Sequence, residues 1–149
     1  MGDVFGDHCI GGLVGRNEQS SIHTCFSTGK VTGGDILGGL IGYDYESSGT
    51  NYLACFWNSE VNSGLTGVGN ITDPAEVMGK TTNQMKIQTT YTDYNWEFPG
   101  VWHMPYAGAG YPMLWWQRDI AGDIAGRYGV DLEDAAVLMR YLAESIRGA

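Results

Sequence analysis

The stretch IGGLVG, from Ile10 to Gly15, returns as LGGLIG, from Leu37 to Gly42. Each copy is half glycine, and only bulky aliphatics stand between the glycines. Glycine is favoured where φ is positive or where two backbones pass too closely for a Cβ. A chain that alternates such positions with Ile, Leu and Val predicts strands that turn at glycine corners and share an aliphatic interior.

The likeness extends beyond the six motif positions. The first unit continues RNEQSSIHTCFSTGKVTGG and the second YDYESSGTNYLACFWNSEVNSG. Gly11 and Gly38 are 27 residues apart, whereas Cys25-Phe26 and Cys55-Phe56 are 30 apart, as are Val31 and Val61. A three-residue insertion near Ser48-Gly49-Thr50 accounts for the change. Repeats of this length with glycine-rich corners are characteristic of solenoids, in which no coil buries its own apolar face and each stacks on a neighbour. The expected fold is therefore mainly β: a short parallel β-solenoid of two or three coils. The alternative is an antiparallel sheet protein with two glycine-rich hairpins. Leu13 and Leu40 decide between them, because only stacked coils place them in adjacent layers.

Bulk composition agrees with a β protein and restricts the partners. The 149 residues carry 8 basic and 17 acidic side chains, a formal charge of −9. Nucleic acid is excluded as a partner, because phosphate binding needs clustered Lys and Arg. No apolar run approaches the roughly 18 residues of a membrane span. The start, MGDVFGDHCIGG, lacks the features of a signal peptide. It opens within the repeat pattern, so an upstream portion with any signal is expected to be missing. Cys9, Cys25 and Cys55 form no CxxC and no even framework. Cys25 and Cys55 are expected to stack as free thiols, because adjacent strands lie about 4.8 Å apart while a disulfide draws Cβ atoms to about 3.8 Å.

These two units resemble GLUG-motif repeats, through the shared Gly-Gly-Leu-Val/Ile-Gly core and the later Cys-Phe. The resemblance covers about residues 4–64 and extends more loosely through Gly79 to Trp116. GLUG repeats occur in large bacterial surface and secreted proteins, adhesin-like proteins and some peptidases among them. The resemblance implies an extracellular or cell-surface, noncatalytic structural or adhesive module. The expected partners are other copies of the chain or other surface proteins, with glycans as the alternative.

Beyond the repeats, Thr81-Thr82 followed by Gln84-Met85 reads as the start of one helical turn. Trp96, Phe98, Trp102, Tyr106, Tyr111, Trp115 and Trp116 then crowd together, punctuated by Pro99, Pro105 and Pro112. Large rings mainly serve burial, so this segment is read as a cap sealing a solenoid end whose edge strands invite aggregation. The rival reading is a carbohydrate-binding module in which Trp102, Tyr106, Trp115 and Trp116 stack on sugar rings. The expected organisation is coils over 1–78, an aromatic capping segment over 79–118 and a separate tail over 119–149.

In the tail, Asp131 suits an N-cap and Asp134 complements the helix dipole. Val137, Leu138, Tyr141, Leu142 and Ile146 follow as an apolar stripe, so one C-terminal α-helix is expected over about 132–147. The tail resembles one half of a dockerin, a calcium loop followed by a helix. That resemblance implies Asp123, Asp131, Asp134 and the Gly129 carbonyl as calcium ligands. Ala125 and Arg127 stand where two further oxygens belong, leaving fewer than the six to eight that calcium takes. A helix packed on the aromatic cap is favoured over an occupied metal site.

No catalytic arrangement emerges. His8, His23 and His103 are scattered without metal spacing, and no GxSxG elbow is present. Gly79-Lys80-Thr81 fails as a phosphate loop because Pro74 occupies the required glycine position. The chain is therefore expected to be a scaffold, not an enzyme, and to need no cofactor. Its uncovered first coil is expected to support self-assembly.

Overall fold

In the computed structural model Ile10 lies opposite Leu37, and Gly11 opposite Gly38, in a parallel ladder. The model describes residues 2–45, 52–105 and 110–117. The chain divides into two compact units, Met1–Met85 with Asp93–Trp96 and Lys86–Thr92 with Glu97–Ala149. The first is mainly β, with strands β1 (Val4–Gly11), β2 (Val14–Asn17), β3 (Ile22–His23), β4 (Phe26–Ser27), β5 (Val31–Asp44), β6 (Tyr52–Leu53), β7 (Cys55–Asn58), β8 (Thr66–Val68) and β9 (Val77–Lys80). Every ladder among them is parallel, which removes the antiparallel-hairpin alternative.

The repeat interval is the pairing interval. β1 and β2 both lie against β5, with Val4 opposite Val31, Val14 opposite Ile41 and Asn17 opposite Asp44. Across the turn between β1 and β2, Leu13 N–H donates to the Leu40 carbonyl at 2.9 Å. Leu13 and Leu40 thus occupy adjacent layers. The interval then becomes 30, with Ile22 opposite Tyr52 and Phe26 opposite Phe56. The three extra residues fall between Asp44 and Tyr52, where 46–51 lie outside the described residues. Val31 and Val61 share this interval without being partners: Val31 opens β5 opposite Val4, whereas Val61 is an exposed turn residue. Its neighbour Asn62 is buried and braces the adjacent layer, accepting from Val31 N–H at 2.8 Å and donating to the Gly29 carbonyl at 3.0 Å.

A third layer follows, keeping the 27-residue interval at Val68 but shortening to 22 at Val77. Val68 lies opposite Ile41, and Cys55, Phe56, Trp57 and Asn58 lie opposite Val77, Met78, Gly79 and Lys80. Inward side chains therefore form columns, such as Val14–Ile41–Val68 along one sheet and Cys55–Val77 along another. Leu40, Ile41, Tyr52, Cys55, Trp57, Val68 and Val77 make one buried cluster.

The motif glycines serve close approach. A Cβ on Gly38 would overlap the Ile41 carbonyl, and one on Gly39 would enter the Trp57 indole. Neither has a left-handed φ. The left-handed positions instead recur at equivalent non-glycine residues: Cys9 (φ 51°) and Ile36 (φ 53°) 27 apart, Thr24 (φ 52°) and Ala54 (φ 51°) 30 apart. Ile36 is a β-branched residue in a region that such side chains rarely adopt. Layer-to-layer pairing on either side holds it there.

Alternation along β4 and β7 sends Ser27 and Trp57 inward and Phe26 and Phe56 to the other face. Trp96 packs on that face across two layers, its ring centroid 6.0 Å from Phe26 and 5.7 Å from Phe56. Its Nε1–H donates to the Ala54 carbonyl at 3.0 Å. Tyr94 meets Phe56 edge-on at 5.4 Å, and Lys80 Nζ lies over both rings. Trp96 thus covers a side wall, where the sequence suggested a seal over an end layer. The helical turn expected near Thr81 is a short 3-10 helix, Gln84–Lys86. Thr81 Oγ1 accepts from Gln84 N–H and Gln84 Oε1 accepts from Thr81 N–H, a reciprocal capping box.

The described part of the second unit holds a short helix, α1 (Thr89–Thr92), and an antiparallel pair, β10 (Trp102–His103) with β11 (Met113–Leu114). The helix expected over 132–147 lies outside the described residues.

Two predictions follow from this core. Gly39→Ala is expected to destabilise the chain by about 3 kcal/mol through overpacking, whereas Gly2→Ala, with nothing within 4 Å of the added methyl, is expected to change stability by less than about 0.5 kcal/mol. Urea melts measure both, and Trp57→Val combined with Gly39→Ala should recover part of the loss. Simple additivity of the two changes would refute the Gly39–Trp57 contact.

The second concerns pH. Burial pushes the Cys55 thiol from 9.0 to about 11. Between those values the folded chain keeps a proton that the unfolded chain has released, so stability is full below pH 9.0 and falls as pH rises toward about 11. Cys55→Ala should flatten that decline in melts between pH 8 and 10; an unchanged slope would count against a buried neutral thiol.

Candidate functional site

The largest structural asymmetry in the first unit separates its first layer from its second. β1, β2, β3 and β4 each pair on one side only, with β5, β5, β6 and β7 respectively. Among the described residues their other edges carry no strand. Side chains at equivalent inward positions show the consequence. Leu40 is fully buried while Leu13 is 47% exposed. Ile41, Tyr52 and Cys55 are buried, whereas Val14, Ile22 and Cys25 are only partly so. Phe5, on β1, is 80% exposed. A strand edge that pairs with no strand among the described residues, together with exposed apolar side chains such as Phe5, is the combination that a further strand satisfies.

Buried Asn17 and Asp44, with exposed Asn70, tie one layer to the next. Asn17 Nδ2 donates to Asp44 Oδ1 at 3.5 Å and to the Ser20 carbonyl at 3.0 Å. Asp44 N–H donates to Asn70 Oδ1 at 2.8 Å, and Asn70 Nδ2 returns a bond to the Asp44 carbonyl at 2.9 Å. Tyr52 donates its hydroxyl to Asp44 Oδ2 at 2.5 Å. Burial, then that bond, pushes the Tyr52 phenol above its usual range. Asn17, Asp44 and Asn70 come from successive layers, so a polar ladder runs beside the apolar one.

The thiols are structural in their surroundings. Cys25 Sγ lies 2.9 Å from the His23 carbonyl, and Cys55 Sγ 3.1 Å from that of Ile22. Burial raises both pKa values, the opposite of the depression that makes a thiol reactive. His8 pairs with Asp35 on the surface, across β1 and β5, and His103 is buried. The two side chains come from different units.

The candidate ligand aromatics separate. Trp102 is half-buried and lines a cleft of about 210 Å³ with Gln88, Phe98, Pro99, His103 and Met104. Trp115 and Trp116 are 49% and 64% exposed. Trp115 N–H donates to the Val101 carbonyl at 3.0 Å, beside Trp102. Tyr106 lies outside the described residues, as do all four calcium candidates, Asp123, Gly129, Asp131 and Asp134.

Two features were not located by the sequence. One is the place of a third layer, Thr66–Val68, signalled only by Gly67-Val68-Gly69. The other is a cluster of Arg16, Tyr43 and Tyr45, in which Arg16 lies opposite Tyr43 at the 27-residue interval. No helix among the described residues is long and apolar enough to cross a membrane.

No curated protein and no solved structure matches the chain. A family model does: the GLUG motif, over residues 6–32. That span begins within β1, includes Ile10–Gly15 and ends in β5, so the matched segment is one layer of the stack together with its step into the next.

Proposed function

We propose that the parallel layers are coils of a short β-solenoid and that the chain is a noncatalytic, extracellular structural or adhesive scaffold module. In this reading it self-associates through its uncovered first coil. The observation that carries the proposal is the uneven burial of equivalent positions, 0% for Leu40 against 47% for Leu13. A coil buries its interior only against a neighbour, and among the described residues no strand pairs with the outer edge of the first coil. The GLUG match over residues 6–32 supports a surface or secreted setting, because GLUG repeats occur in adhesin-like proteins. The raised pKa values of Cys25 and Cys55, opposite to those of a reactive thiol, give the noncatalytic reading further support.

Sedimentation velocity over a concentration series tests the association. Wild-type chain is expected to associate as concentration rises, and Phe5→Lys with Leu13→Lys is expected to abolish association without unfolding, since both sites are exposed and edge lysines block strand pairing. A wild-type chain that stays monomeric at millimolar concentration would overturn self-association.

A second reading, glycan binding by the aromatic segment, draws support from the exposure of Trp115 and Trp116 beside the Trp102 cleft. Titration with a glycan panel should then quench or blue-shift tryptophan emission, and Trp115→Ala with Trp116→Ala should remove the signal. Unchanged emission across the panel would overturn this second reading.

A further inference from the structure

We propose that a cleft on the first unit, formed by Cys9, Arg16, Ile36, Tyr43 and Tyr45, binds one pyranose ring of a neutral glycan. This site is separate from the aromatic segment and does not depend on the scaffold reading. Its construction begins with alternation along the end of β5. Asp44 is buried, so its neighbours Tyr43 and Tyr45 emerge on the opposite face. Arg16 lies opposite Tyr43 in the ladder, and Tyr45 N–H donates to the Asn17 carbonyl at 3.0 Å. Backbone pairing therefore places both rings and the guanidinium together. Cys9 and Ile36, the equivalent left-handed residues of two layers, complete the wall.

The cleft measures about 240 Å³. Sites for drug-sized ligands run from about 300 to 1,000 Å³, so this one suits a single ring. The Tyr43 and Tyr45 centroids are 5.9 Å apart with planes tilted by 57°, giving two walls of an open dish. Arg16 Cζ lies 5.9 Å and 5.1 Å from those centroids, and Arg16 Nε pairs with Glu18 Oε1 at 2.8 Å. The guanidinium is thus held in place while its side chain stays 52% exposed. Tyr45 is 62% exposed, a large ring kept in water.

The chemistry narrows the ligand class. An anion gains little, because Glu18 already neutralises Arg16 and the chain as a whole carries −9. A cation is repelled, because the Arg16 guanidinium already lies 5.9 Å and 5.1 Å from the two ring centroids. A neutral polyhydroxyl ring satisfies both constraints. Its C–H face packs on Tyr45, whose ring face carries negative quadrupole charge. Its hydroxyls accept from the guanidinium fork.

Calorimetry reads this site where indole fluorescence would not, since no tryptophan lines it. The probes are neutral hexasaccharides of glucose, xylose, mannose and N-acetylglucosamine, with a galacturonate hexamer as the charged comparison. At least one neutral probe is expected to bind the wild-type chain, and Tyr45→Ala and Arg16→Gln are each expected to weaken it by about tenfold or more. Thermal melts of both variants should match the wild type, since both side chains are more than half exposed. Trp115→Ala with Trp116→Ala should leave this binding intact, which distinguishes it from glycan binding by the aromatic segment. Absence of heat with every neutral probe up to about 10 mM, a binding free energy weaker than about −3 kcal/mol, overturns the proposal. So does undiminished binding in the Tyr45 and Arg16 variants, or tighter binding of the galacturonate hexamer than of every neutral probe.

Discussion

The approach of Gly39 to the Trp57 indole sets the geometry of the stacked unit. Two sheets can face each other across an interior this narrow only if a large side chain on one meets no side chain on the other. Gly12, Gly39 and Gly67 supply the bare positions on one side. Opposite them stand Ser27 against Gly12 and Trp57 against both Gly39 and Gly67. A single indole therefore fills the space over two layers, and Gly79, its ladder partner, leaves room beside it. The doubled glycine of the motif has two separate duties in consequence. Gly11 and Gly38 let the chain fold back on its own carbonyl at Val14 and Ile41, and Gly12 and Gly39 admit the opposing side chain.

That division explains which features were legible in the sequence. Parallel stacking was legible because like residues pair with like: Gly11 with Gly38, Ile10 with Leu37 and Phe26 with Phe56. The interval of 27 read from the letters is the interval of the ladder. The third layer was not, because it keeps the glycine–aliphatic alternation but drops a residue: Gly38 and Ile41 are matched by Thr66 and Val68. Left-handed corners were not legible either. Cys9, Ile36, Thr24 and Ala54 have no intrinsic preference for that region, and only repetition of the bend in successive layers identifies them. Trp96 was legible as a burying aromatic but not in its position, because a side wall and an end layer make the same demand on a ring.

The surface sites differ in the same way. Trp102, Trp115 and Trp116 stand out by residue type alone, yet the structure buries the first by half and leaves the other two open. Arg16 and Tyr43 look like ordinary surface residues in the one-dimensional text. They become neighbours only when the 27-residue interval is applied to the ends of the motif as well as to its centre. Tyr45 then follows from alternation about Asp44.

Steric fit and polar pairing together fix the register of the stack. Aliphatic columns such as Val14–Ile41–Val68 discriminate weakly against a slip, because Val, Ile and Leu substitute for one another with modest loss. A slip of one residue would nevertheless reverse the face of every side chain in the strand. In one direction it would bring the Leu40 side chain to the indole in place of Gly39, and in either direction it would carry Asp44 out of register with Asn17. Asp44 is 2% exposed, and a buried carboxylate without its hydrogen bonds is strongly destabilising. The Asn17–Asp44–Asn70 ladder therefore penalises misalignment at the strand ends as the glycine column does at their centre. Between the two, Leu40 and Ile41 are held in one layer spacing, fully buried, while Leu13 at the equivalent position of the first layer is 47% exposed among the described residues.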